Sequence, residues 1–345
     1  MKKMFIFAAL AFGLASCQNE TNIFGVDINN EEKAVEFTIN VAAPEVEQTR
    51  VADKGYTHSD MGGLENGVLS GDKTMRYILE VYDQNDVRSE EIYYAYGDVK
   101  SVEFTPRLIP NRKYTFVVWA DIVTSNIVGA STEKVADVHY NTADLTNVTL
   151  NTESWIPMDE TRDAFTGFHV EDQLEATDQI TINLTRPFGK LRIVTTDEKA
   201  VNNLHVTPDY AKVTYRGVPV YSFNAKTGAY TAQTPATLAK SHAKFEIANY
   251  TTSNVDANEM TLFTDYFFAP ADDEVALGTF TLDVYDNDTD ASLITTTTFT
   301  SSIPVKRNRL TTVKGNLLTI QGGTFKITAV ANDGFAGGET IVNIQ

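Results

Sequence analysis

The chain has 345 residues, more than a single domain usually holds, and a hydrophobic content of 42% that can fill substantial cores. Its formal charge of -18 repels phosphate backbones and sets nucleic acid aside as a partner. Abundant Thr, Val, Tyr and Phe with little helical periodicity point to an all-β fold.

At the start of the chain, Lys2 and Lys3 precede an apolar run over residues 4–14, the layout of an export signal. That run is too short to span a bilayer, and nothing later approaches the roughly 20 apolar residues a span needs. Leu14-Ala15-Ser16-Cys17 follows and resembles the lipobox of bacterial lipoproteins, in which the cysteine is acylated and becomes the first residue. Cys17 is the only cysteine, so no disulfide competes for its thiol. Residues 1–17 are expected to be a lipoprotein signal peptide, with Cys17 the lipidation site that tethers the chain to a membrane.

Residues 18–32 are polar and read as a tether. Val35, Phe37, Ile39 and Val41 then alternate with polar residues, the pattern of a strand with one buried face. Pro44, the segment 45–50 and polar, Gly-containing sequence up to Lys73 isolate this strand, so that it could be removable. Further strands are expected at 77–82 and 91–96, joined by the turn Asp83-Gln84-Asn85-Asp86, and at 102–105, 113–120 and 147–150.

Residues 151–178 show little alternation, and the domain boundary is placed at their end, near Asp178. Strands resume at 180–184, 191–195 and 212–215, with a short helix within 197–203. Residues 265–268, 278–285, 292–299 and 310–320 follow, and 324–331 and 339–344 are the last two candidates. Leu79-Glu80-Val81-Tyr82-Asp83 is echoed by Leu282-Asp283-Val284-Tyr285-Asp286, an internal similarity that suits two related halves.

Catalytic chemistry finds no foothold. His58, His139, His169, His205 and His242 are scattered without a nucleophile motif, and no phosphate-binding loop or zinc-helix pattern occurs. The expectation is a protein that is not an enzyme and that needs no cofactor or metal. Asp286, Asp288 and Asp290 open like a calcium loop, but Ala291 and Thr297 stand where Gly and a bidentate Glu are required, so a solvated hairpin tip is expected. Trp119 lies in an apolar strand and reads as core, whereas Trp155 sits in a loop and is the better candidate for stacking on a ligand.

Several stretches together resemble the fimbrillin and fimbrillin-like lipoproteins of Bacteroidales, which build type V pili. They are Arg162-Asp163-Ala164-Phe165-Thr166-Gly167, Thr185-Arg186-Pro187-Phe188-Gly189-Lys190-Leu191, with Gly189 where Ala is usual, and Ile303-Pro304-Val305-Lys306-Arg307-Asn308. The resemblance implies two tandem β-sandwich domains of transthyretin-like topology, here 51–178 and 179–345, at the outer membrane surface or in a fimbrium.

It also implies a cut after an Arg behind the first strand, which removes lipid and strand together. Thr49-Arg50-Val51 stands in that place, making Arg50 and Val51 the processing site and 18–50 a propeptide. Other pilin subunits are the implied partners, joined by strand addition with a C-terminal segment as donor and supporting adhesion to a host or bacterial surface receptor. A lipid-anchored module that binds glycan or host protein without polymerising is the alternative.

Overall fold

A computed structural model describes residues 34–42, 72–97, 101–247, 259–269, 275–300 and 303–319, together with the backbone of 327–332 and 339–344. Cys17, Arg50 and Val51 lie outside the described residues, as does the expected tether. The described chain is almost all β, as its composition requires. None of its helices is long and apolar enough to cross a membrane.

In the N-terminal half, five antiparallel strands form one sheet in the order β11 (Ala164–Glu171), β7 (Tyr114–Thr124), β3 (Lys73–Tyr82), β4 (Tyr93–Gly97) and β8 (Gly129–Ser131). Against it lies a three-stranded sheet of β12 (Gln179–Asn183), β2 (Thr38–Ala42) and β5 (Ser101–Phe104), prolonged by the pair β1 (Val35–Glu36) and β6 (Arg107–Leu108). Alternation decides which side chains meet between the sheets: Tyr77, Leu79 and Val81 of β3 join Ile39, Val41, Phe104, Ile180 and Ile182 in one core.

The opposite face of β3 is buried too, because the connection that follows β8 covers it. A sheet closed on both faces must satisfy its inward charges, and Arg76 does so with Asp121 at 2.7 and 2.9 Å, Asp137 at 2.9 Å and the Val135 carbonyl at 2.8 Å. Within the same connection, β9 (Tyr140–Asn141) and β10 (Thr149–Leu150) pair.

The C-terminal half sets the sheet β17 (Met260–Phe268), β13 (Phe188–Thr195), β22 (Leu310–Gly315), β24 (Glu339–Ile344), β23 (Ile327–Asn332) against β15 (Ala229–Ser241), β14 (Tyr210–Asn224), β19 (Phe280–Tyr285), β20 (Leu293–Phe299). β16 (Phe245–Glu246) adds to β14, and β18 (Val275–Leu277) pairs with β21 (Ile303–Val305). β13 runs parallel to β22, and β22 parallel to β24. The expected helix is present as α1 (Glu198–Asn202).

Both copies of the echoed Leu-acid-Val-Tyr-Asp motif end the first strand of a hairpin, β3–β4 and β19–β20. Residues 151–178, expected to be irregular, contain β11 in full: Gly167 and His169 interrupt the apolar alternation that would have marked it. Gly167 is needed there, since a Cβ would stand 2.9 Å from the Asn183 carbonyl and 3.0 Å from the side chains of Ile182 and Leu184.

Elements on either side of Asp178 trade places. Ile180, Ile182 and Leu184, which follow it, pack in the N-terminal core, whereas Trp155, which precedes it, packs in the C-terminal core. A third cluster bridges the halves, with Trp119 edge-on to Tyr140 at 5.4 Å and Tyr140 beside Phe188 and Phe268.

Candidate functional site

The first strand occupies a slot. Val35 and Glu36 pair with Leu108 and Arg107, the Phe37 amide donates to the Pro106 carbonyl at 3.1 Å, and Ile39 to Ala42 pair with Phe104 to Ser101 in the same register. On its other side β2 runs parallel to β12, from Thr38 opposite Gln179 to Ala42 opposite Asn183. Phe37, Ile39 and Val41 point into the core, with exposures of 2%, 0% and 0%. The alternation that predicted a half-buried strand therefore places it between two neighbours, where it fills the gap in its sheet.

β12 has β2 as its only ladder partner among the described strands, apart from a single bridge between Thr166 and Thr185. Beyond Asn183 the chain enters a dense joint built from the three quoted motifs. Arg186 donates twice to Asp163, at 2.7 and 2.8 Å, with both side chains closed to solvent, and its guanidinium lies 4.7 Å from the Phe165 ring centre. Arg307 donates to the Arg186 carbonyl at 3.2 Å and to the Thr185 hydroxyl at 3.3 Å, and the Asn308 amide to the Phe188 carbonyl at 2.8 Å. Sequence reading found these stretches as similarities but had no signal that they would meet.

Gly189 is fixed by the same joint, because a Cβ there would sit 2.4 Å from the Lys306 carbonyl oxygen. Beside it, Lys190 donates to Glu160 at 2.7 Å, and Glu160 accepts from the Thr264 hydroxyl at 2.8 Å and from the Tyr266 hydroxyl. Bidentate and charge-assisted bonds of this kind fix geometry as well as supplying energy.

At the far end of β13, Asp197 clamps the chain beyond β22. Its carboxylate accepts from the amides of Leu317, Leu318 and Thr319, the last at 2.8 Å, and from the hydroxyls of Thr195 and Thr319. Burial pushes this carboxyl up, but the hydrogen bonds outweigh it and hold it below the usual range.

The model of family DUF6562, a family of unknown function, matches residues 28–342. The chain belongs to that family. No curated protein matches this DUF6562 chain. Solved structures similar to it include a provisionally named cell adhesion protein of Bacteroides ovatus, 14% identical over 80% of this chain and 89% of that one, with a TM-score of 0.45. A fimbrial assembly protein of Parabacteroides distasonis shows 12% identity over 90% and 100% at 0.43, and the fimbrial anchor protein Mfa2 of Porphyromonas gingivalis 13% over 76% and 82% at 0.33. At these scores the likeness is one of general outline.

The DUF6562 chain corrects one sequence expectation. Trp155 does not stand in an open loop: it is 2% exposed, stacks on Tyr215 at 5.4 Å and donates through Nε1 to Asp265 at 3.0 Å. Asp265 also accepts from Tyr215 at 2.7 Å and pairs with Arg162, so the indole is bound into a closed polar cluster inside the core. An isolated Trp between Ser154 and Ile156 carries no period that would reveal this.

The tip at Asp286 to Asp290 is closed by its own bonds. Asp286 accepts from the Thr207 amide at 2.7 Å, Asn287 from Thr289, and Asp290 pairs with Lys244 at 2.8 Å. Among the described residues no group of three or more His, Cys, Asp or Glu side chains is placed to hold a metal ion.

Proposed function

We propose that this DUF6562 chain is a surface-exposed fimbrial subunit or accessory protein, exported as a lipoprotein on Cys17 and supporting cell adhesion at the outer membrane or in a fimbrium. Cleavage after Arg50 removes residues 18–50 with the lipid, and the emptied slot takes a strand from a neighbouring subunit. The observation that carries this reading is the position of β2: it fills a gap between β5 and β12, and it lies at the start of the chain, ahead of Arg50.

Loss of that strand uncovers backbone groups on two strand edges and the apolar lining that Phe37, Ile39 and Val41 had covered. Burial of each such side chain is worth about 1.5–3 kcal/mol, so an emptied slot drives replacement of its occupant. Phe325, Ile327 and Ala329 repeat the spacing of Phe37, Ile39 and Val41, which makes 324–331 a fitting donor segment alongside 339–344.

The quoted motifs of the Bacteroidales fimbrillin-like lipoproteins support the same reading. The glycan-binding alternative loses its best residue with the burial of Trp155.

N-terminal sequencing of the cell-surface protein tests it. A mature start at Val51, with ladders of polymer in mild denaturant that vanish in Arg50→Ala, is the expected result. A lipid-modified Cys17 start as the only form overturns the processed-subunit reading.

A further inference from the structure

The slot lies at one end of a short, stiff route through the molecule, and strand direction decides how it carries force. β12 is the slot wall, and only Leu184, Thr185, Arg186 and Pro187 separate it from β13, an inner strand of a C-terminal sheet, flanked by β17 and β22. Those residues are held by Asp163, by Arg307 and by the Tyr230 hydroxyl on the Pro187 carbonyl. At the far end of β13, Asp197 binds residues 317–319, which lead into the C-terminal segment. Residues 179–197 and the Asp197 contacts to 317–319 thus form a short connection from the slot towards the C-terminal segment, with β13 braced along its length by β17 and β22.

We infer that the slot grips its occupant in shear and that β12, β13 and the Asp197 clamp form the tension path of the subunit. This inference rests on the fimbrial reading for its purpose, but its geometry is that of the strand now in place. Because β2 parallels β12, the end of the occupant that enters beside Gln179 is its N-terminal end. A donor from the C-terminal part of a neighbour is tethered to its own subunit by that same end. β12, in contrast, is anchored beyond Asn183, at the opposite end of the ladder. Pulling the subunits apart therefore draws the two strands in opposite directions and loads the ladder along its length. An occupant of the reverse direction would be pulled off one hydrogen bond at a time.

Single-molecule force spectroscopy on the full chain carrying Cys17→Ser tests this with two pairs of attachment points. Ala34→Cys with Lys199→Cys pulls β2 from its N-terminal end against the end of β13, and Ala42→Cys with Lys199→Cys pulls it from its C-terminal end. The expected result is a rupture force several-fold higher for the Ala34 pair, reduced when Arg186→Gln is added. Equal forces, or the higher force from the Ala42 pair, overturn the inference. Glu36→Cys, at an exposed position of β1, replaces Ala34→Cys should that variant fold poorly, with the same expected order of forces. Failure of the fimbrial reading shows itself separately, as a Cys17-only start in N-terminal sequencing, and leaves the force ratio unchanged.

Discussion

Asp163 and Arg186 form a bidentate ion pair at 2.7 and 2.8 Å, with side-chain exposures of 0% and 2%, where β11 begins and the slot wall β12 ends. A pair this deeply buried sets geometry because neither charge has an alternative partner in water. Removing one member strands the other, at a cost of about 3–5 kcal/mol, while replacing both with apolar residues costs far less. Asp163→Leu and Arg186→Met should each lower stability to urea by that amount, and the two together by less than the sum. A strictly additive double variant would show that the two side chains do not act as a pair.

On the proposed processing, the first strand should stabilise the chain that retains it and contribute nothing to a form beginning at Val51. Ile39→Ala leaves a cavity at a fully enclosed site and is expected to cost about 2–5 kcal/mol in the chain that starts at Cys17. Calorimetry on the full chain and on the form beginning at Val51 separates the cases. A substitution without effect in the full chain would mean that β2 does not fill the slot in solution.

Gly189→Ala would restore the residue usual in the fimbrillin-like motif, yet here it should destabilise. The added methyl meets the Lys306 carbonyl oxygen at 2.4 Å and Val305 Cγ1 at 2.6 Å, and backbone cannot rotate away as a side chain can. Overpacking of this kind costs about 1–3 kcal/mol. A neutral or stabilising result in chemical denaturation would require the backbone at 305–306, where β21 ends, to shift.

His242 gives the fold an acid-sensitive element. Burial against Trp155 and Tyr215 lowers its pKa to about 4, with Asp265 opposing the shift and Arg162 adding to it. An unfolded histidine titrates near 6.5, so between that pH and about 4 the unfolded chain binds a proton that the folded chain refuses. Stability should therefore fall as pH falls through this window, by roughly 3 kcal/mol in total at about 1.4 kcal/mol per unit. His242→Phe keeps the aromatic contacts and should flatten that part of the pH profile. An unchanged slope in urea titrations at pH 7, 5.5 and 4.5 would assign the acid sensitivity to other groups.

What could be read in advance followed the periodicities. The alternation of Val35 to Val41, the hairpin turn at Asp83 to Asp86 and the helix after Asp197 are local features, and each lies where its own residues put it. β11 was hidden because Gly167 makes room for the end of β12 and the partly exposed His169 sits beside Glu171, so neither supplies an apolar beat. Trp155 misled because burial in a loop depends on a partner, Asp265, that is remote in sequence. The joint was half visible: its three motifs could be quoted, but only the fold brings Asp163, Arg186 and Arg307 into contact.

The exchange of elements across Asp178 also constrains how such a chain can change over generations. Trp155 belongs to the core that follows it, and Ile180 and Ile182 to the core that precedes them. A recombination event that cut near Asp178 and joined the first half to a foreign second half would deprive both cores of a wall. The halves must therefore be inherited as one piece.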